Sequence, residues 1–230
     1  VSGDWSGTMN LSEPQSGSDL NNLTTKAVLQ EDGTYKITGT KIWIGSGEHD
    51  LTDNIIHLVL ARIEGAPEGT KGISMFIVPK YLVNEDDSLG NQNNVRCLSI
   101  EEKMGIHGSP TCVMEYTNST GYLIGEENRG LNYMFTTINE ARIRAGGHGL
   151  SCATGALQGA VQYSLDRVQG RPVGMSKEDA KNSTIIDHAD VRRMLMTIKA
   201  YTDAMRYMLY DNQMMLDLSY YADDDLKDFG

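Results

Sequence analysis

NRGLNYMFTTINEARIRAGGHGLSCATGALQGAVQY, residues 128–163, decides the reading of this chain. Leu131, Met134, Phe135, Ile138, Arg142, Ala145, Gly149, Cys152, Ala156, Gly159, Ala160 and Tyr163 recur at intervals of three or four, the signature of one face of a long helix. The face turns small from Ala145 to Gly159, so a second helix or a flat ligand could approach closely; tight helix packing is the plainer explanation. Before Asn128 the period is different. WSGTMNL, TTKAVLQ, YKITG, TKIWIG, NIIHLVLAR, GISMFIVP, NVRCLSIEE and TCVMEYT are short β-rich runs between turn signals such as Asp32-Gly33, Glu64-Gly65, Pro67-Glu68-Gly69 and Leu89-Gly90. About eight strands of this kind predict a sandwich or barrel. The class is therefore α+β: a central β-sandwich or barrel domain over 1–128, followed over 129–230 by the first long helices of an incomplete C-terminal helical bundle.

YLVNEDDSLGNQNN, residues 81–94, breaks the strand rhythm and predicts a long exposed loop. QGRPVGMSKEDAKNSTII reads as a connection, after which Asp187 is placed to cap a second helix. Val191, Met194, Leu195, Ile198, Met205, Met208, Leu209 and Leu216 form that helix's apolar face. Many of the twelve methionines lie here, where adaptable core filling is the simplest role. Two such helices leave an apolar stripe that calls for further helices or a second subunit. The chain, which opens on Val1, thus reads as part of a longer one.

Forty per cent of the 230 residues are apolar, enough for a real core. The net charge of −11 argues against a nucleic-acid surface, which needs clustered Lys and Arg. The acidic runs at 85–87 and 223–225 read as solvated segments. Cys97, Cys112 and Cys152 are odd in number and widely spaced, which suits a reducing compartment and, with no membrane-length apolar run and no signal-peptide pattern, a cytoplasmic setting. The histidines are scattered too, and no metal site is expected.

MNLSEPQSGSDL, residues 9–20, ends an apolar stretch in turn formers, with Pro14 fixing its own φ and Gly17 open to angles closed to other residues, so a shaped loop is expected after the first strand. Trp43 comes at the end of a later strand, just before Gly45, Ser46 and Gly47. An indole beside free backbone N–H groups would suit a planar heteroaromatic ligand. Taken alone, the motif is better explained by a sandwich-core tryptophan.

The ordered set MNLSEPQSGSD, KITGTKIWIGSGE, KGISMFIVPK, EEKMGIHGSPTCVMEY, GYLIGEENRGLNYMF and NEARIRAGGHGLSCATGAL resembles the acyl-CoA dehydrogenase family over nearly the whole chain. The acidic loop at 81–94 and HADVRRMLMTIKAY resemble, more narrowly, the bacterial branch that includes 3-methylmercaptopropionyl-CoA dehydrogenase. The resemblance implies FAD held between a β domain and a helical bundle, an acyl-CoA substrate, an electron-transferring flavoprotein as acceptor, and a homodimer or homotetramer. Oxidase, flavin monooxygenase and non-enzymatic binding-module alternatives share the same architecture.

By that resemblance Met9, Leu11, Ser12, Gly17 and Ser18 line the flavin, with the Leu11 and Ser12 backbone and the Ser12 hydroxyl on the ring edge. Trp43, Ile44 and Gly45 form a second flavin segment, where Gly45 replaces a common Thr. Ser18, Asn139 and Arg142 face the CoA portion of the substrate; without the resemblance Arg142 reads as a partner of Glu140 or Asp166 or as plainly solvated. Arg167 and Gln169 match the stretch that reaches a neighbouring subunit's FAD pyrophosphate, with Gly170 where Phe is usual. The catalytic Glu of most members falls late in the bundle, beyond residue 230. Others carry it where this chain has Ala141, and Glu140 is one position off, about 100° around the helix. No catalytic residue is assigned.

Overall fold

The computed structural model describes residues 3–221, so the acidic run at 223–225 lies outside the described residues. The strands are β1 (Trp5–Asn10), β2 (Lys26–Leu29), β3 (Tyr35–Gly45), β4 (Asn54–Ile63), β5 (Ile73–Pro79), β6 (Tyr81–Val83), β7 (Leu89–Gln92), β8 (Val95–Ile100) and β9 (Thr111–Leu123). Two long helices follow, α1 (Gly130–Asp166) and α2 (Ala189–Tyr221). The chain divides into two compact units between Thr137 and Ile138, inside α1.

In the first unit β4 closes the sheet on itself. It runs parallel to β1 along its first half and to β2 at Arg62 and Ile63, and antiparallel to β5. The β2–β3, β3–β9 and β9–β5 pairings complete a mixed barrel, with β8 added beside β9. Closure removes most of the unpaired sheet edge. Inward residues including Ile37, Val59, Phe76, Val78, Met114 and Tyr116 make one apolar core.

Two local expectations need correction. Residues 81–94 are not a plain loop: β6 and β7 pair as a hairpin, and Leu89-Gly90 lies in β7 instead of a turn. The two runs YKITG and TKIWIG are one strand, β3, carrying two register shifts against β9. Its bulges supply the break that turn residues mimicked in the sequence.

The first turn of α1 docks on β5. Met134 is fully buried, and a Cβ built on Gly130 would lie 2.4 Å from the Ser74 carbonyl carbon and 2.6 Å from Met75 N. Backbone atoms cannot step aside as a side-chain tip can. Gly130→Ala is expected to cost about 1–3 kcal/mol, read as a lower urea midpoint with unchanged slope. A wild-type midpoint would show that the helix start is free to shift.

In the second unit α2 packs against Gly147 and Thr154 of α1: Leu209 Cδ2 lies 3.7 Å from a Cβ built on Gly147, and the Arg206 guanidinium donates to Thr154 Oγ1 at 3.0 Å. This face is one residue on from the small stripe expected to make the contact. Ala145, Gly149, Cys152, Ala156 and Gly159 are exposed. Asp187 also differs from expectation. It sits in a short 3-10 turn, Ile185–Asp187, where its carboxylate accepts from Thr184 N at 3.3 Å, and α2 starts two residues later. On α2, Met194, Met205, Met208 and Met214 are among many exposed apolar side chains. The 230-residue chain alone is therefore expected to self-associate, since exposed apolar area of this kind is covered in stable monomers. Sedimentation showing a monodisperse monomer would contradict it.

Candidate functional site: a shelf beside Trp43

The loop after β1 is held by hydrogen bonds on both sides. Glu13 N donates to Ser16 O at 2.7 Å and Ser16 N to Glu13 O at 3.0 Å, a tight turn over Pro14 and Gln15. Ile42 N donates to Ser12 O at 2.9 Å, and Lys41 Nζ donates to Leu11 O at 3.0 Å. The loop is thus stitched to β3 at the two residues before Trp43. Ser12 and Trp43 share one end of the barrel.

Trp43 is not a core residue. Residues 35, 37 and 41 of β3 point inward, and strict alternation would send residue 43 after them. Instead the register against β9 shifts between Lys41 and Ile44, Trp43 adopts φ 62°, and its indole is 59% exposed while Ile44 is buried. A left-handed aromatic residue costs about 1–2 kcal/mol. Ser46, at φ 54°, makes a second such kink just beyond. Strain of this kind turns a flat side chain out of the barrel beside the loop.

Beneath the shelf lies a buried ion pair that was not among the expected site residues. Lys41 Nζ is 2.8 Å from Glu13 Oε1, with the two side chains 0% and 1% exposed. Glu13 Oε1 also accepts from Thr25 N (3.0 Å) and Thr25 Oγ1 (2.6 Å), and Oε2 from Thr24 N (2.7 Å), Thr24 Oγ1 (2.8 Å) and Gln15 Nε2 (2.6 Å). Burial pushes the Glu13 carboxyl upward, but the Lys41 charge and the bonds from Lys41, Thr25 and Thr24 outweigh it and hold the pKa at about 2. For Lys41 burial wins over the pull of Glu13, and its pKa falls to about 8. Both groups are charged between those values.

A polar chain also fixes β1 inside the barrel. Tyr116 OH donates to Asn10 Oδ1 at 2.8 Å, Asn10 Nδ2 donates to Thr8 Oγ1 at 2.7 Å, and Thr8 Oγ1 lies 2.7 Å from His57 Nδ1. The Thr8 hydroxyl, with two lone pairs and one proton, can accept from Asn10 and pair with Nδ1 in either His57 tautomer, while Nε2 is buried with no hydrogen-bond partner among the described residues. Burial, then the nearby Lys80 and His49 charges, push His57 down to about 3, so the ring is neutral.

The other expected residues fall into place less closely. Met9 lies in β1. Gly17 and Ser18 are exposed; a Cβ on Gly17 would meet nothing within 4 Å and its φ is outside the left-handed region, so this turn does not need the glycine freedom expected there. Gly45 ends β3 in the open. Asn139, Arg142, Arg167 and Gln169 belong to the second unit. There Arg142 Nη1 donates to Asn139 Oδ1 at 3.2 Å, and the Arg167 fork donates to Gln169 Oε1 at 3.2 and 2.9 Å. Glu140 is exposed and ion-paired with Arg144, while Asp166 accepts from Gln162. Among the described residues no group of three or more His, Cys, Asp or Glu could hold a metal ion, and no helix is long and apolar enough to cross a membrane.

Comparison with known proteins bears on this geometry. Residues 8–119 match the acyl-CoA dehydrogenase middle domain. The chain is 50% identical over 227 residues to 3-methylmercaptopropionyl-CoA dehydrogenase of Ruegeria pomeroyi, covering 99% of this chain and 38% of that protein. It is 42% identical over 232 residues to a butyryl-CoA dehydrogenase of Syntrophomonas wolfei, covering 97% of this chain and again 38% of the relative. The chain thus spans well under half the length of these relatives. Among solved structures, Caenorhabditis elegans ACDH-11 in complex with C11-CoA superposes with a TM-score of 0.77 over 96% of this chain and 35% of that one, at 22% identity, a likeness of fold. With its middle domain at residues 8–119, the chain belongs to the acyl-CoA dehydrogenase family.

Proposed function

We propose that the protein carrying this chain catalyses FAD-dependent α,β-dehydrogenation of an acyl-CoA thioester, with 1–128 as its middle β domain and 129–230 as the first part of its C-terminal helical domain. The observation that carries the reading is the shelf. The Leu11 and Ser12 amides have no backbone partner among the described residues, the Ser12 hydroxyl is beside them, and the Trp43 indole is turned out next to the loop. Those donors suit the polar edge of an isoalloxazine ring and the indole suits its face. FAD, when bound, supplies hydride acceptance from the substrate's β carbon. This chain's part is to bind and orient: Leu11, Ser12, Trp43 and Ile44 at the ring, Met9, Gly17, Ser18 and Gly45 around it, Ser18, Asn139 and Arg142 toward the CoA portion, and Arg167 with Gln169 toward the FAD pyrophosphate of a neighbouring subunit in a homodimer or homotetramer. An Arg fork fits phosphate oxygens.

The α-proton acceptor is assigned outside these residues. Glu140, exposed and paired with Arg144, lacks the dry surroundings such a base needs. An electron-transferring flavoprotein would reoxidise the enzyme, and the setting is the bacterial cytoplasm.

The full-length protein should purify yellow, with about one flavin per subunit. Trp43→Ala should weaken FAD binding about tenfold, from the lost stacking area and aromatic contact, in an equilibrium titration of the apoprotein. A folded, colourless wild-type protein that takes up no FAD would overturn the assignment.

A further inference from the structure

We propose that the buried Glu13–Lys41 pair is a positioning device for the shelf: Lys41 fixes and polarises the Leu11–Ser12 peptide so that Ser12 presents a strengthened N–H donor to the flavin edge. The inference rests on the FAD reading above. Stability alone does not explain the pair, since a buried ion pair is commonly no more stabilising than apolar residues of the same volume. What two apolar side chains could not do is bond the Leu11 carbonyl, which lies past the end of β1 and accepts from no backbone N–H among the described residues.

The geometry follows from the peptide itself. The unit is planar and trans, with no cis bonds among the described residues, so its C=O and N–H point in opposite directions. With Leu11 O bound to Lys41 Nζ at 3.0 Å on the barrel side, the Ser12 N–H of the same peptide is directed away from the barrel. A charged donor on the carbonyl draws electron density from the amide and strengthens that N–H, a cooperative gain of about 10–30% per bond. Glu13 is in turn held by Thr24, Thr25 and Gln15, so Lys41 has one place to sit. A firm N–H at the ring edge favours the reduced, more negative flavin and raises its reduction potential.

The test uses the full-length protein reconstituted with FAD, comparing wild type, Lys41→Gln and the double variant Glu13→Gln/Lys41→Met. Thermal unfolding, FAD affinity and two-electron reduction potential are measured for each. The double variant leaves no buried charge unpaired, so it should unfold close to wild type. Its potential should nevertheless fall by about 30 mV, a tenfold shift toward the oxidised form, and FAD should bind about tenfold more weakly. Lys41→Gln, which keeps a neutral donor, should fall between. A double variant with wild-type potential and affinity would overturn the inference and leave the pair purely structural; should that variant not fold, a wild-type potential in Lys41→Gln has the same force. Failure of the FAD reading looks different: the wild-type protein itself would take up no flavin, and both proposals would fall.

Discussion

Lys41→Met is expected to lower the unfolding free energy of the β domain by about 3–5 kcal/mol, measured by urea denaturation. The substitution removes the charge facing a Glu13 carboxylate that is 1% exposed, while the five other hydrogen bonds to that carboxylate hold it in place. Glu13 must then stay charged without its partner or take up a proton, and either costs free energy. The Leu11 carbonyl loses its donor as well. Surface pairs give the contrast. Arg144 and Glu140 are 73% and 59% exposed, and Arg144→Ala should change stability by less than about 1 kcal/mol. A Lys41→Met loss as small as that would mean the carboxylate reaches water.

Acid should unfold the β domain over a window set by Glu13. Its carboxyl titrates at about 2 in the fold against 4.5 unfolded, so the folded state binds fewer protons between those values. The stability it contributes is complete above about 4.5 and is lost as the pH falls toward about 2, a loss of about 3 kcal/mol. Lys41 acts at the other end. Pushed down to about 8, it holds a proton that burial disfavours at lower pH, and its contribution improves as the pH rises from there toward 10.5. In Glu13→Gln the acid limb between 4.5 and 2 should flatten in stability–pH curves. An unchanged limb would assign acid sensitivity to other carboxylates.

The periods of two and of three to four residues disclosed both units and most strand positions, because half-buried strands and amphipathic helices each impose their own spacing. Closure into a ring was open between sandwich and barrel, since pairing partners distant in sequence leave no local mark. β3 shows where alternation fails. Lys41 stands at an inward position beside Tyr35 and Ile37, and a lysine there was the visible sign of a buried partner. Trp43 has the same parity, yet the bulge turns it outward, and a backbone kink at a non-glycine residue has no composition signal. On α1 the small stripe proved uncovered while α2 packs on the neighbouring face about 100° away, because small residues mark where a helix can come close and not where one does.

The claim at the centre is that the loop after β1 and Trp43 together form the surface on which the flavin lies. Tryptophan fluorescence of the full-length apoprotein, titrated with FAD, tests it most directly, because energy transfer to flavin quenches an indole in contact with it. Comparing Trp43→Phe with Trp5→Phe, the flavin-dependent quenching should drop sharply in the first and persist in the second. Undiminished quenching in folded Trp43→Phe, with FAD bound at wild-type affinity, would contradict the claim.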